Sequence, residues 1–338
     1  MAASGAAGIL CAMPLPRRAL SRIAAALVPL GAAGCLETAA WVAMPFVYRR
    51  AALPDERVRS DLPYRSDGAA DPAKHRLDLY LPDPAQSGAP PWPVLVFVHG
   101  GGWTSGDRSL RVGGRDVYGN IGRFYAARGV ATAIVSYRLQ FDVTWREQVD
   151  DVARAVAWLH QNIPRYGGDA NALFLAGHSA GAHLVNRVAL DAELTRRLGL
   201  SGVCGLVSVS GAALDLTDEE TYALGASRDY YEARFRNGDP GEAWADEASP
   251  ASFVTAAAPA SLLLYAEGDW PALKRQAQVF GAKLERAGVP RRVLEIPDED
   301  HYTIVLALSR APGLASQSVL DFVRATSRAC APSALQRG

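Results

Sequence analysis

From residue 76 onward, short runs of apolar residues alternate with segments of helical period, and this alternation constrains the fold more than any other feature. The runs are "RLDLYL" (76–81), "VLVFV" (94–98), "ATAIVSY" (131–137), "ALFLAG" (172–177), "GLVSVS" (205–210), "SLLLYAEG" (261–268) and "RRVLEI" (291–296). Most are continuously apolar, as expected of strands buried on both faces of a parallel sheet. Between them, Val149, Val152, Val156 and Leu159 repeat at helical spacing within 145–162, while Arg146, Glu147, Asp150 and Arg154 mark the wetter side. Further helices are predicted over 118–128, 180–198, 271–287 and 315–327. Such βα alternation predicts an α/β class with a mostly parallel, doubly wound sheet and helices on both faces. Ligands then bind beyond the carboxyl ends of the strands. One connection, about 211–260, is long and carries Tyr222, Tyr230, Tyr231, Phe235 and Trp244 without a clear strand. It reads as a partly helical insertion over that edge, or as a segment whose aromatics simply pack it down.

Lys+Arg and Asp+Glu balance at 35 each, so net charge suggests no nucleic-acid partner. The N-terminus differs from the rest: Arg17, Arg18 and Arg22 precede "IAAALVPLGAAGC", which ends at Cys35. Residues 1–35 therefore read as an export signal or lipoprotein leader, with Cys35 as the lipidated residue in the second case. The expected location is exported, periplasmic or membrane-attached. The alternatives are a membrane anchor over 23–47 and a cytoplasmic leader. Residues 36–70 read as a lead-in and 71–328 as the principal domain. Of the four cysteines, Cys11 falls in the presumed signal and no pair has metal-like spacing. Cys204, in an apolar run, is expected as a buried free thiol, with a Cys204–Cys330 bridge as the alternative after export.

Two glycine motifs carry the chemistry. "VLVFVHGGGWTSGD" (94–107) sets three glycines behind a strand. A dinucleotide fingerprint counted from Gly100 would need glycine at 105, where Ser105 stands; neither a P-loop nor an H-E-x-x-H helix occurs. The second motif, "LFLAGHSAGAHL" (173–184), is G-x-S-x-G between an apolar strand and a helical run. Its turn leaves no room for side chains at Gly177 and Gly181 and exposes the Ser179 hydroxyl.

A serine hydroxyl needs a base to become a nucleophile. His301, just after the last strand run, is the best candidate. His178 lies in the sharp turn and His183 one helical turn later, both badly placed to reach the hydroxyl. His75 and His160 read as surface residues, and His99 as a residue fixing the glycine loop. An acid should orient the imidazole. Asp269 follows a strand run and lies between Ser179 and His301 in the order Ser…Asp…His; Glu267 is the competitor. Asp298, Glu299 and Asp300 read as solvated loop residues. Attack on a carbonyl creates an oxyanion that needs preorganised donors. The backbone N–H groups of Gly101, Gly102 and Ala180 are assigned to that task.

Together, "HGGGWTSGD", "VSYRL", "QVDDVARAVAWL", "YGGDANALFLAGHSAGAHL", "LLLYAEGDWPALKRQAQVF" and "DHYTIVLAL" resemble the carboxylesterase-like α/β-hydrolases. More narrowly, they resemble the group containing prenylcysteine methylesterases and kynurenine formamidases, over about residues 75–325. The resemblance implies Ser179 as nucleophile, His301 as base and Asp269 as acid, acting on a small-molecule substrate with no metal or organic cofactor. "RQAQVF" and "DHYTIV" look formamidase-like, whereas an export signal argues against a cytoplasmic catabolic role. The leading expectation is hydrolysis of carboxylic esters with small to medium acyl groups; a formamidase is the runner-up. A non-catalytic binding module of this fold would be expected to lack the nucleophile, base or loop glycines, and all are present. Oligomeric state stays open.

Overall fold

The computed structural model describes residues 48–140, 142–200, 203–236, 241 and 243–330. The export or lipoprotein leader, Cys35 and the alternative span over 23–47 lie outside the described residues.

Among the described residues, eight strands form the main sheet: β1 (Val58–Pro63), β2 (Arg76–Tyr80), β3 (Trp92–Val98), β4 (Ala131–Val135), β5 (Gly168–His178), β6 (Gly205–Val209), β7 (Ala260–Ala266) and β8 (Arg291–Ile296). Their spatial order is β1-β2-β4-β3-β5-β6-β7-β8. The six from β4 to β8 run parallel. At the other edge β2 pairs antiparallel with both β4 and β1. All seven apolar runs are strands. β1 falls in the expected lead-in and has no apolar run, because as an edge strand it buries little of either face.

Five principal helices cover the sheet: α1 (Val117–Ala126), α2 (Trp145–Asn162), α3 (Ala180–Leu190), α4 (Pro271–Arg286) and α5 (Leu314–Cys330). Alternate residues of β3 enter two cores. Val94, Val96 and Val98 join the layer with α2 and α3, and Leu95 and Phe97 join the layer with α1 and α5. This two-sided burial explains why the strand sequences are continuously apolar. A capping box fixes the start of α2: the Thr144 hydroxyl accepts from the Glu147 N–H, and the Glu147 carboxylate accepts from the Thr144 N–H. The helix expected over 180–198 breaks at Asp191. There the backbone turns extended, and the carboxylate accepts from the Leu194 N–H to cap a second short helix, Ala192–Arg197.

Other expectations are corrected by tertiary contacts. Cys204 is not a free thiol but is bonded to Cys330, with Cα atoms 5.8 Å apart, so the end of α5 is tied to the start of β6. His75 is not at the surface: it is buried, and its Nε2 lies 2.9 Å from Asp151, which also takes two hydrogen bonds from the Arg138 guanidinium. Glu299 is buried against Arg310 rather than solvated. The Cys204–Cys330 bond is the alternative that the sequence left open, whereas sequence spacing gives no sign of the Asp151 and Arg310 partners.

The 211–260 connection contains short helices Glu219–Ala223, Arg228–Phe235 and Trp244–Ala248. Tyr231, Phe235 and Trp244 are buried, while Tyr230 remains exposed. Phe235 packs 4.9 Å from both the Trp103 and His183 rings, pinning the insertion to the glycine loop and α3.

Candidate active site

The parallel register brings three strand ends together. Val98 lies opposite Gly177, and His178 opposite Val209, so the glycine loop, Ser179 and Ser210 emerge side by side at the carboxyl edge. Ser179 sits between β5 and α3 at φ 55°, ψ −119°. This positive φ is unusual for a residue with a side chain and holds it on a sharp turn. The turn closes only with glycine on both sides. A Cβ at Gly177 would lie 2.3 Å from the Gly181 carbonyl oxygen, and one at Gly181 only 2.2 Å from that of Val98.

Ser179, His301 and Asp269 form one hydrogen-bonded chain. His301 Nε2 lies 3.0 Å from Ser179 Oγ, and its Nδ1 lies 2.9 Å from Asp269 Oδ1. The carboxylate is an acceptor, so Nδ1 carries the proton and Nε2 presents its lone pair to the serine. Burial pushes the Asp269 carboxyl up. Hydrogen bonds from His301, Ser210 and the Ala266 N–H outweigh that effect and leave it below the usual aspartate range. Asp269 Oδ2 accepts from the Ser210 hydroxyl at 2.5 Å and from the Ala266 N–H at 2.9 Å. Ser210 is a member of this network that the sequence did not reveal. It is buried at φ 45° at the end of β6, and only the folded sheet brings it to Asp269. Glu267 is exposed, and its carboxylate accepts from the Asp298 N–H instead of meeting His301.

The glycine loop is held peptide by peptide. The His99 Nδ1–H donates to the Gly100 carbonyl at 2.7 Å, fixing the plane that carries the Gly101 N–H. The Gly101 carbonyl accepts from Ser105 N, Ser105 Oγ and Thr104 N at 3.0, 2.9 and 3.2 Å, fixing the plane that carries the Gly102 N–H. The Ser179 carbonyl accepts from Ala182 N at 3.0 Å and His183 N at 3.3 Å, fixing the Ala180 N–H. Among the described residues, none of these three N–H groups is taken up by a protein acceptor. Gly101 at φ 114° and Gly102 at φ 59° occupy conformations that side chains resist. Burial also depresses His99 to about 4, so its ring stays neutral under the loop.

His178 and His183 are held by hydrogen bonds away from the Ser179 hydroxyl. The His178 Nε2–H donates to the His301 carbonyl at 2.8 Å, and burial depresses this ring to about 3. The His183 Nε2–H donates to the Ala248 carbonyl at 2.8 Å, and its Nδ1 accepts from Trp103 at 3.3 Å. Among the described residues no group of acids, histidines or cysteines is arranged to hold a metal ion. A polar cavity of about 910 Å³ lies beside the antiparallel edge, but its walls include neither Ser179, Asp269 nor His301. Arg108, which lines it, is engaged by Asp61, Asp78 and Asp107.

A strand–turn–helix serine at the carboxyl edge of a β1-β2-β4-β3-β5-β6-β7-β8 sheet defines an α/β-hydrolase fold. Esterase B from Lactobacillus Rhamnosis shares this fold, with a TM-score of 0.66 at 24% identity over 92% of this chain and 96% of that one. Residues 77–284 match the BD-FAE family, and the chain belongs to it. Esterase LipQ of Mycobacterium tuberculosis is 31% identical over 273 residues, 78% of this chain. The chain spans 61% of the length of LipQ. The kynurenine formamidase of Danio rerio is 27% identical over 74% of this chain and 78% of its own.

Proposed function

We propose that the protein is a serine hydrolase of carboxylic esters with small to medium acyl groups, working through an acyl-enzyme. The observation that carries this reading is the Ser179–His301–Asp269 chain at a strand end beside the glycine loop, with the Gly101, Gly102 and Ala180 amides unengaged by protein acceptors among the described residues. Ser179 Oγ attacks the ester carbonyl while His301 Nε2 takes its proton. Asp269 holds the tautomer that makes this possible and stabilises the imidazolium. The carbonyl oxygen becomes an anion received by the N–H groups of Gly101, Gly102 and Ala180. One such donor is typically worth ~10²–10³ in turnover. His301 then protonates the departing alcohol, and water repeats the cycle to release the acid.

The test is kcat/KM on p-nitrophenyl esters of increasing chain length beside N-formylkynurenine, with Ser179→Ala as the blank. Ester turnover that disappears in the variant supports the proposal; ester turnover that survives it removes Ser179 from the mechanism. A dominant formamide rate would shift the assignment to the formamidase reading, which the likeness to the Danio rerio enzyme supports.

Export is part of the same proposal. The Cys204–Cys330 disulfide supports it, since such bonds persist in oxidising compartments. Fractionation of cells producing the full chain tests this, and recovery wholly in the cytosol with both thiols free would refute it.

A further inference from the structure

Trp270 is the exposed tryptophan of the described residues, at 52%, whereas Trp92, Trp103, Trp145 and Trp244 are all buried. It directly follows Asp269 in the chain. Its ring lies 4.7 Å from that of His301, tilted by 39°, and 6.0 Å from that of Tyr302, at 88°. Two further rings border the imidazole: buried His178 at 4.8 Å and half-buried Tyr302 at 5.4 Å, nearly perpendicular to it. His301 is thus closed by protein at His178 and bordered by a wet indole at Trp270.

The reaction assigns a role to that border. When the tetrahedral intermediate collapses, the alcohol oxygen takes its proton from His301 Nε2 and must lie within hydrogen-bond reach of it. The carbonyl oxygen is drawn to Gly101 and Gly102 on the loop after β3, a different part of the rim. The remainder of the alcohol therefore extends past the imidazole, where the surface is Trp270 with Tyr302 set nearly perpendicular. Indole and phenol faces at a right angle form an apolar corner that receives a flat ring better than a flexible chain.

We propose that Trp270, backed by Tyr302, is the specificity-determining wall for the alcohol half of the ester, and that the alcohol it selects carries an aromatic ring. This rests on the ester-hydrolase reading above. It adds the side of the substrate on which selection occurs and the class of group selected.

Acetate esters of methanol, cyclohexylmethanol and benzyl alcohol provide the test, because the last two differ chiefly in the flatness of the ring. The wild-type enzyme is expected to favour benzyl over cyclohexylmethyl acetate by roughly tenfold in kcat/KM, the scale of one well-stacked aromatic pair. Trp270→Leu should bring that ratio close to one, and Trp270→Phe should keep most of it. A second readout isolates the alcohol side. Acetyl-enzyme formed from p-nitrophenyl acetate partitions between water and an added alcohol. In the transfer, the alcohol oxygen bonds to the acyl carbon, its proton passes to His301, the bond to Ser179 Oγ breaks, and the serine recovers the proton. Benzyl alcohol should capture the acetyl group about tenfold better than cyclohexylmethanol in the wild type and no better in Trp270→Leu.

A wild type that hydrolyses all three acetates without distinguishing the rings overturns the wall and leaves the esterase intact. So does a benzyl preference that survives Trp270→Leu, or a loss that follows the acyl group in a series of methyl esters. Failure to hydrolyse any ester overturns the underlying reading as well.

Discussion

Replacing Asp269 with asparagine changes one atom, and the surroundings dictate how the new amide must sit. Asp269 Oδ2 receives two donors, the Ser210 hydroxyl and the Ala266 N–H, while Oδ1 receives His301 Nδ1. The hydroxyl can rotate to become an acceptor, but the Ala266 N–H can only donate. An amide nitrogen placed at the Oδ2 position would face that N–H, leaving a buried donor unsatisfied at a cost of about 1–3 kcal/mol. The amide oxygen therefore stays with Ala266 and the nitrogen turns to His301. Facing a donor, Nδ1 must become the acceptor, and the ring proton moves to Nε2. That nitrogen can then no longer take the Ser179 proton, although every heavy atom keeps its place. The expected loss in kcat/KM is ~10⁴, the scale for a base held in the wrong tautomer. The assay is p-nitrophenyl acetate hydrolysis, with thermal unfolding to show that the variant stays folded and Glu267→Gln as the control. An Asp269→Asn enzyme within tenfold of wild type would refute the argument, as would a comparable loss in Glu267→Gln.

Three further outcomes are expected. Gly181→Ala sets a Cβ 2.2 and 2.4 Å from the carbonyl oxygens of Val98 and His99. Because both contacts are main chain, the turn must shift, and kcat/KM should fall at least ~10²-fold with a lower melting temperature; normal activity would show that the turn tolerates a side chain. Buried His99, His178 and His183 are depressed to about 4, 3 and 3, below their unfolded values, so the unfolded chain takes up protons first as pH falls. Stability should be fully present above ~6.5 and lost toward pH 4, by up to about 1.4 kcal/mol per pH unit for each histidine. Urea midpoints equal at pH 7 and pH 5 would contradict this. The Cys204–Cys330 bond closes a loop of sequence separation 126, for which chain entropy alone gives about 5 kcal/mol as a model-dependent upper figure. Cys330→Ser should markedly lower the guanidinium midpoint, and a reductant should then have no further effect.

The features readable in the sequence are those whose cause is local. Continuous apolar runs reveal a strand covered on both faces, which is why β3 to β7 are visible; β2 and β8 keep shorter apolar runs that still mark them, and the polar edge strand β1 has none. The turn around Ser179 is legible because its glycines are demanded by backbone atoms within a few residues along the chain or across one strand pair. The loop at Gly101 and Gly102 is legible for the same reason. His301 and Asp269 stood out by their position after strands, but proximity in sequence could not choose between Asp269 and Glu267. That choice depended on side-chain direction: Asp269 turns inward to His301, and Glu267 turns out to Asp298.

Long-range pairing belonged to the tertiary structure. Ser210 reaches Asp269 across 59 residues, His75 meets Asp151 across 76, and Cys204 meets Cys330 across 126. No period or motif encodes such partners, because each contact exists only after β6, α2 or α5 has docked on the sheet. The same holds for Trp270. In the chain it is one aromatic residue among many, and only packing leaves it open to solvent beside His301 while Trp92, Trp103, Trp145 and Trp244 are covered. Strand and turn chemistry act over a few residues and are written locally. Burial and partnership are set when distant segments displace water from one another, and those only the folded chain decides.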